Sequence, residues 1–412
     1  MKKFLVGFGL QATVLVAAVA ATNPFAKPGL PMCLWNQPEP INLPALLETA
    51  SGENVTTAER WEKVRRPEIV KLFEDCAYGR RPVGRPEGLS FADEAPEKTM
   101  MDGKAVRKQV AISFKAPKGE GVIHVLAFLP VSKEPVPSFV LICNRPKAKN
   151  LDPERVTRTE FWPAEELVAR GYAAVAFHYE DIAPDRYDGF TSGIYPLYQD
   201  PAARTETDWG ALSAWAWGAS RVMDWIETEP RLDAKAVAVI GHSRGGKTSL
   251  WAGATDTRFA LTCVNDSGCG GARLNHLLLS NAETIGLLRG AQPHWMCAAW
   301  GKWGGRELDA PFDQHQLMAL VAPRLLAIGS ASQDNGAGPY GEWLSAKLAS
   351  PAWELYGRKG LVIAAFPKEN EACQDGRLSY HLRAGEHDLK LSDWNRYMDF
   401  FDSKRALTIH NY

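Results

Sequence analysis

The chain has 412 residues, 45% of them apolar and 23% charged, and a formal net charge of −1. These are ordinary globular values, with room for one large α/β domain or two smaller ones. A chain so close to neutral offers no electrostatic footprint for nucleic acid, which is excluded as an expected partner.

The first segment, Met1-Lys2-Lys3, is followed by the apolar run Phe4 to Ala20, which closes on Ala18-Val19-Ala20. A positive start, an apolar centre and a small-residue exit form the pattern of a secretory signal. Residues 1–20 are therefore expected to be removed on export to the periplasm or beyond. No later apolar run reaches the ~20 residues that a membrane span requires, so no stable membrane insertion is expected after cleavage. The seven cysteines (Cys33, Cys76, Cys143, Cys263, Cys269, Cys297, Cys373) show no C-x-x-C spacing. That argues against a zinc ribbon or redox motif, and no metal or other cofactor is expected. An odd count leaves at least one thiol unpaired in the expected monomer.

A Pro-rich arm, Asn23 to Pro44, leads to apolar residues at helical spacing between Thr57 and Tyr78 (Trp61, Val64, Ile69, Leu72, Phe73). Pro67 predicts a kink there or two short helices. Val106 to Phe114 and Gly121 to Leu129 alternate like strands, with Pro117 to Glu120 as the hairpin connection. A β-α-β pattern follows. Strands are expected at Phe139 to Cys143, Ala173 to Phe177, Ala236 to Ile240, Phe259 to Val264, Arg324 to Ile328 and Leu378 to Arg383. Helices are expected at Trp162 to Gly171, Trp209 to Glu227, Thr248 to Ala254 and Asp393 to Asp402. This alternation predicts a mainly parallel sheet with helices on both faces, a three-layer α/β sandwich. Residues 101–412 would form the catalytic domain, and residues 21–100 an N-terminal extension packed on it.

The richest stretch is Gly241-His242-Ser243-Arg244-Gly245-Gly246-Lys247, between a predicted strand and a predicted helix. G-x-S-x-G in that setting is a nucleophile elbow, whose sharp turn pushes the serine hydroxyl out over the sheet. A serine needs a histidine to take its proton and an acid to orient the imidazole. On this type of sheet both partners follow the serine, on loops at the carboxyl ends of later strands. His387, in Arg383-Ala384-Gly385-Glu386-His387-Asp388, is the best-placed base. Two acids qualify: Asp266 after the strand ending at Val264, and Asp334 after the strand ending at Ile328. Either loop could reach the imidazole. The backbone N–H of Arg244 belongs to the expected oxyanion hole, and Arg244 and Lys247 together suggest an anionic or polyhydroxylated substrate.

These residues resemble the bacterial glucuronoyl esterases of carbohydrate esterase family 15, which adopt the α/β-hydrolase fold. The motifs that carry the resemblance include Arg65-Arg66-Pro67-Glu68-Ile69, Trp215-Ala216-Trp217-Gly218 and Gly241 to Lys247. They continue in Asn265-Asp266-Ser267-Gly268-Cys269-Gly270-Gly271, Asp313-Gln314-His315 and Gly385-Glu386-His387-Asp388. The resemblance implies a metal-free serine esterase that cleaves the ester between 4-O-methyl-glucuronic acid on xylan and an alcohol of lignin. It implies Ser243 as nucleophile, His387 as base, Arg244 as oxyanion contributor and Lys247 as a ligand of sugar hydroxyls. Family members keep the acid at the position of Asp266 or, in some bacteria, of Asp334. Glu283, His294 and Trp295 fall where members line the sugar pocket.

The chain also departs from the family pattern. His242 stands where fungal members have a disulfide-bonded Cys, and Gly336 where bacterial members commonly carry Trp. Arg273-Leu274-Asn275-His276 replaces paired arginines, and Asn144-Arg145-Pro146-Lys147 replaces a Gly- and Asn-rich loop. Three alternatives bear on function. An acetylxylan or related esterase would share the fold. A prolyl-oligopeptidase-type peptidase would normally bring a propeller, and no blade repeat precedes the elbow. A polysaccharide-binding homologue without catalysis would have no need of Ser243 and His387.

Overall fold

The computed structural model describes residues 42–409. The expected signal, residues 1–20, and most of the Pro-rich arm lie outside the described residues.

Eleven strands form one sheet among the described residues: β1 (Ser90–Asp93), β2 (Lys98–Met100), β3 (Ala105–Ala116), β4 (Gly119–Pro130), β5 (Val136–Cys143), β6 (Ala173–His178), β7 (Leu232–His242), β8 (Leu261–Asn265), β9 (Leu325–Ala331), β10 (Ala372–Cys373) and β11 (Leu378–Arg383). Their order is β1-β3-β4-β6-β5-β7-β8-β9-β11-β10, with β2 beside β3. From β6 through β11 the neighbours run parallel. The β3–β4 hairpin joins antiparallel through β4 and β6, and β10 closes the far edge antiparallel. The result is a mixed sheet with a parallel centre, as the β-α-β pattern predicts, in the α/β-hydrolase arrangement.

The chain leaves β5 for β6 on one side and returns across β5 to start β7. The connecting helices, Ala164–Ala169 and Ala211–Ile226, therefore lie on opposite faces. Strand β5 is buried on both faces. Its Phe139 and Leu141 pack in one core with Trp162 and Trp394, while Val140 and Ile142 pack in the other with Trp215 and Trp251. That double burial is why β5 reads as a continuous apolar run. The reversal of direction opens a crevice at the carboxyl ends of β5 and β7, where open α/β sheets bind ligands.

Every residue of helix Ala211–Ile226 is buried, and its charged pair is internal, with Arg221 Nε donating to Asp224 Oδ2 at 2.6 Å. The expected break at Pro67 takes a different form. The chain bends through a π-helical turn, Trp61–Arg65, and Pro67 sits at the start of helix Arg66–Cys76. The Arg66 N–H is accepted by Trp61 O in that turn, so the helical path runs unbroken up to the proline. Trp61, Ile69 and Phe73 belong to the largest of the hydrophobic cores, and β1 and β2 widen the sheet at β3.

Candidate active site

Strand β7 ends at His242, and helix Arg244–Thr255 begins one residue later. Ser243 between them has φ 58° and ψ −125°, a conformation that costs a non-glycine residue about 1–3 kcal/mol. The turn is held by Ser243 N donating to Asn265 O at 2.9 Å and Lys247 N donating to Ser243 O at 3.0 Å. It closes so tightly that a Cβ at position 241 would lie 2.0 Å from the Gly245 carbonyl oxygen. Only glycine fits at Gly241. Arg244 opens the helix, so its backbone N–H has no intrahelical acceptor and is available to an anion.

The loop after β9 carries Asp334 and the loop after β11 carries His387. Their contact is direct, with His387 Nδ1 2.6 Å from Asp334 Oδ2. The other oxygen of Asp334 accepts from Ala337 N at 3.1 Å. Burial works against the charge of Asp334, but the hydrogen bond and charge of His387 and the Ala337 N–H outweigh it. The carboxyl stays below its ordinary range. The His387 ring lies 4.5 Å from the ring of His242, the residue before the serine, which brings the base to the elbow.

Asp266 is differently placed. Its Oδ1 accepts from Ala331 N at 2.6 Å, fastening the end of β8 to the end of β9. Its Oδ2 is buried without a hydrogen-bond partner. Burial first, then the charges of Glu342, Asp334 and Asp393, push its carboxyl well above the usual range, against the opposing pull of Arg383. Burial among these acids therefore favours the neutral form of Asp266. Atoms of Asp266, Asp334 and His387 lie within 4.8 Å of one another, a spacing that could hold a metal ion. The direct 2.6 Å contact of His387 with Asp334 and the raised carboxyl of Asp266 suit a hydrogen-bonded relay better, because metal ligands must be deprotonated.

His242 does not face the crevice. Its Nδ1 contacts Asn265 Oδ1 at 2.7 Å, and burial, with the neighbouring His387, pushes it down to about 3. The unfolded chain takes up a proton near pH 6.5 that the folded chain refuses. The associated stability is full above about pH 6.5 and is lost as pH falls toward 3. Between pH 7.5 and 5.0 the wild type should lose about 2 kcal/mol more than His242→Gln in urea unfolding; equal losses would show that His242 ionises normally.

Lys247 is buried. Its Nζ donates to Ser267 O, lies 3.2 Å from Glu283 Oε2 and sits 5.7 Å from the centre of the Trp295 ring. The Ser267–Gly268 turn is itself held by the buried Glu342, whose Oε1 accepts from Ser267 N, Ser267 Oγ and Gly268 N, each at 2.9 Å. Lys247, Glu283 and Trp295 thus share one polar wall beside the elbow.

A residue absent from the expectations organises the other wall. Asp185, on the loop after β6, accepts from His294 Nε2 at 2.9 Å and Trp295 Nε1 at 2.7 Å through Oδ1. Its Oδ2 accepts from Tyr179 OH at 3.0 Å and lies 3.1 Å from Arg244 Nε. Burial opposes its charge, yet these donors and the Arg244 guanidinium hold its carboxyl below the ordinary range. The Arg244 guanidinium also sits 5.6 Å from the centre of the Trp295 ring. His294 joins this cluster through Asp185 and an edge contact with the Trp295 ring at 6.3 Å. Other histidines that follow Ser243 are committed elsewhere: His276 to Asp313 at 2.9 Å, His315 to the Pro44 carbonyl at 3.0 Å and His381 to Asp393 at 2.9 Å.

Known proteins are similar to this chain in sequence and fold. A family model described as "Glucuronyl esterase, fungi" matches residues 153–357. A carbohydrate esterase from an unknown prokaryotic organism is 37% identical over 391 residues, 87% of this chain and 89% of that protein. A 4-O-methyl-glucuronoyl methylesterase of Hypocrea jecorina is 34% identical over 317 residues, 74% of this chain and 60% of that protein. Among solved structures, a glucuronoyl esterase from Solibacter usitatus superposes with a TM-score of 0.80 at 37% identity, covering 88% of this chain and 97% of that one. A structure described as a promiscuous CE15 esterase from a marine bacterial metagenome gives 0.79 at 37% identity, covering 88% and 96%.

Proposed function

The chain belongs to the glucuronoyl esterases of carbohydrate esterase family 15, and on that premise we propose that it hydrolyses glucuronoyl esters with Ser243, His387 and Asp334 as its working residues. The observation that carries this reading is the 2.6 Å contact of His387 Nδ1 with Asp334 beside the strained serine. With Nδ1–H donated to the carboxylate, Nε2 keeps its lone pair and accepts the Ser243 proton as Oγ attacks the ester carbonyl. The oxyanion meets the Arg244 N–H, with the guanidinium held nearby by Asp185. His387 then protonates the departing alcohol, and water repeats the sequence to release the uronic acid.

Lys247 and Glu283 supply a cation and an acceptor at the elbow, a pairing suited to the hydroxyls and carboxyl-derived group of a uronate. An acetyl ester would leave this wall without a partner. The expected result is a kcat/KM for benzyl glucuronate above that for 4-nitrophenyl acetate; marked preference for the acetate would sink the uronate assignment. In the cell the substrate would be a wall polysaccharide such as 4-O-methyl-glucuronoxylan. The apolar run Phe4 to Ala20 supports export to the periplasm or beyond. No helix among the described residues is long and apolar enough to cross a membrane.

Asp185→Asn keeps the shape of the second wall but removes its charge. A charge-assisted hydrogen bond is worth ~1.5–3 kcal/mol, so kcat/KM for benzyl glucuronate should fall roughly 10- to 100-fold with circular dichroism unchanged. An unaltered kcat/KM would mean that the cluster only supports the fold.

A further inference from the structure

At the opposite end of the parallel strands lies a second cavity of about 490 Å³, lined by the starts of β7 and β9, the approach to β11 and the C-terminal helix Leu391–Ile409. The seven steps of β7 from Lys235 to His242 place it about 23 Å from the elbow at ~3.3 Å per residue. Six cations line it, Lys235, Arg324, Arg358, Arg377, Lys404 and Arg405, against the single acid Asp233. In a chain whose net charge is −1, that concentration is local and one-signed. Asp233 is already engaged, accepting from Lys235 N at 2.9 Å. Arg324 is also engaged, donating to the carbonyls of Gly253 and Phe259 at 2.6 and 3.0 Å. Among the described residues no carboxylate pairs with Arg358 or Arg377. Burial and the charge of Arg358 pull Arg377 below its ordinary value, as expected of like charges gathered together, while Lys404 beside it feels both Arg377 and Asp375 and donates to the Asp375 carbonyl at 3.0 Å.

The floor between these cations is apolar, made by Ala236, Ala260, Leu325 and Phe401. The volume falls within the ~300–1,000 Å³ of small-molecule pockets, far more than one inorganic anion fills. We infer that this cavity is a second binding site, for a carboxylate-bearing oligosaccharide, separate from the ester-cleaving centre. Sugar rings would lie their C–H faces on the floor while guanidinium groups pair with ring carboxylates in the bidentate manner arginine favours. Such a site would hold an acidic polysaccharide at the back of the enzyme without taking part in cleavage.

Calorimetry with trigalacturonate tests this on the full chain. The double variant Arg358→Gln/Arg377→Gln should bind it at least tenfold more weakly than wild type, with kcat/KM on benzyl glucuronate unchanged. Should the double variant not fold, the exposed Lys235→Gln should still weaken binding severalfold. Unchanged trigalacturonate affinity in the variants would overturn the site. Equal affinity of the wild type for neutral xylotriose, or for inorganic phosphate, would overturn its assignment to an acidic saccharide. Loss of benzyl glucuronate hydrolysis in wild type would instead count against the active-site reading, leaving the two distinguishable.

Discussion

Ser243→Ala should lower kcat on benzyl glucuronate by about 10⁴- to 10⁶-fold, the range seen when a serine nucleophile is removed. The substitution is conservative for the fold. Alanine at φ 58° bears much the same backbone strain as serine, and the two hydrogen bonds that close the elbow use backbone atoms. The loss should therefore fall on kcat, with KM and the unfolding midpoint little altered. A fluorophosphonate probe should label wild type and fail to label the variant. His387→Asn should cost a similar factor, and the double variant should be hardly worse than either alone, because the pair acts as one unit. Activity within tenfold of wild type in folded Ser243→Ala would place the nucleophile elsewhere.

The elbow was legible because its requirement is local. Gly241 must lack a side chain for Gly245 to approach, and local sterics are written in nearby residues. The strands of the parallel centre were legible for a related reason, since burial on both faces forces unbroken apolar runs. Strands β1 and β2 were not, being short and largely exposed. Helix Pro339–Ala349 hid behind the Asn335-Gly336-Ala337-Gly338 run, which reads as a loop.

Asp185 left no signal at all. It sits in a loop with no periodicity, and nothing near it in sequence shows that Tyr179, Arg244, His294 and Trp295 converge on it. The choice between Asp266 and Asp334 was closed to sequence for the same physical reason. Both follow strands of one sheet, and which side chain meets His387 depends on loop paths, not on composition. What separates them is environment: Asp334 meets the imidazole of His387 directly, whereas Asp266 is more deeply buried and crowded by Glu342, Asp334 and Asp393, with its Oδ2 lacking a hydrogen bond.

That difference makes the two acids experimentally distinct. Asp334→Asn keeps the volume but offers His387 an amide, which favours the wrong tautomer and cannot balance the imidazolium formed during attack. Such a change costs about 10⁴ in kcat where an acid orients the histidine of a serine triad. A fall of at least about 10³ is expected here, with Nε2 protonated and unable to accept from Ser243. Asp266→Asn starts from a carboxyl that burial and neighbouring acids already push toward its neutral form, and an amide reproduces its acceptor for Ala331 N. Its kcat should stay within about tenfold of wild type, and removing a group buried without full hydrogen bonding should leave stability equal or higher. The direction of the pH dependence follows from Asp334. Its carboxyl is held below the ordinary value, so the stability its ionised form contributes is fully present above about pH 4 and lost as pH falls through the lower folded value. Wild-type folding stability should show that acid-side loss, and Asp334→Asn should not, when urea midpoints are compared from pH 7 down to pH 3. Equal losses of kcat in the two variants would mean that the acids share the role, and a larger loss for Asp266→Asn would move it there.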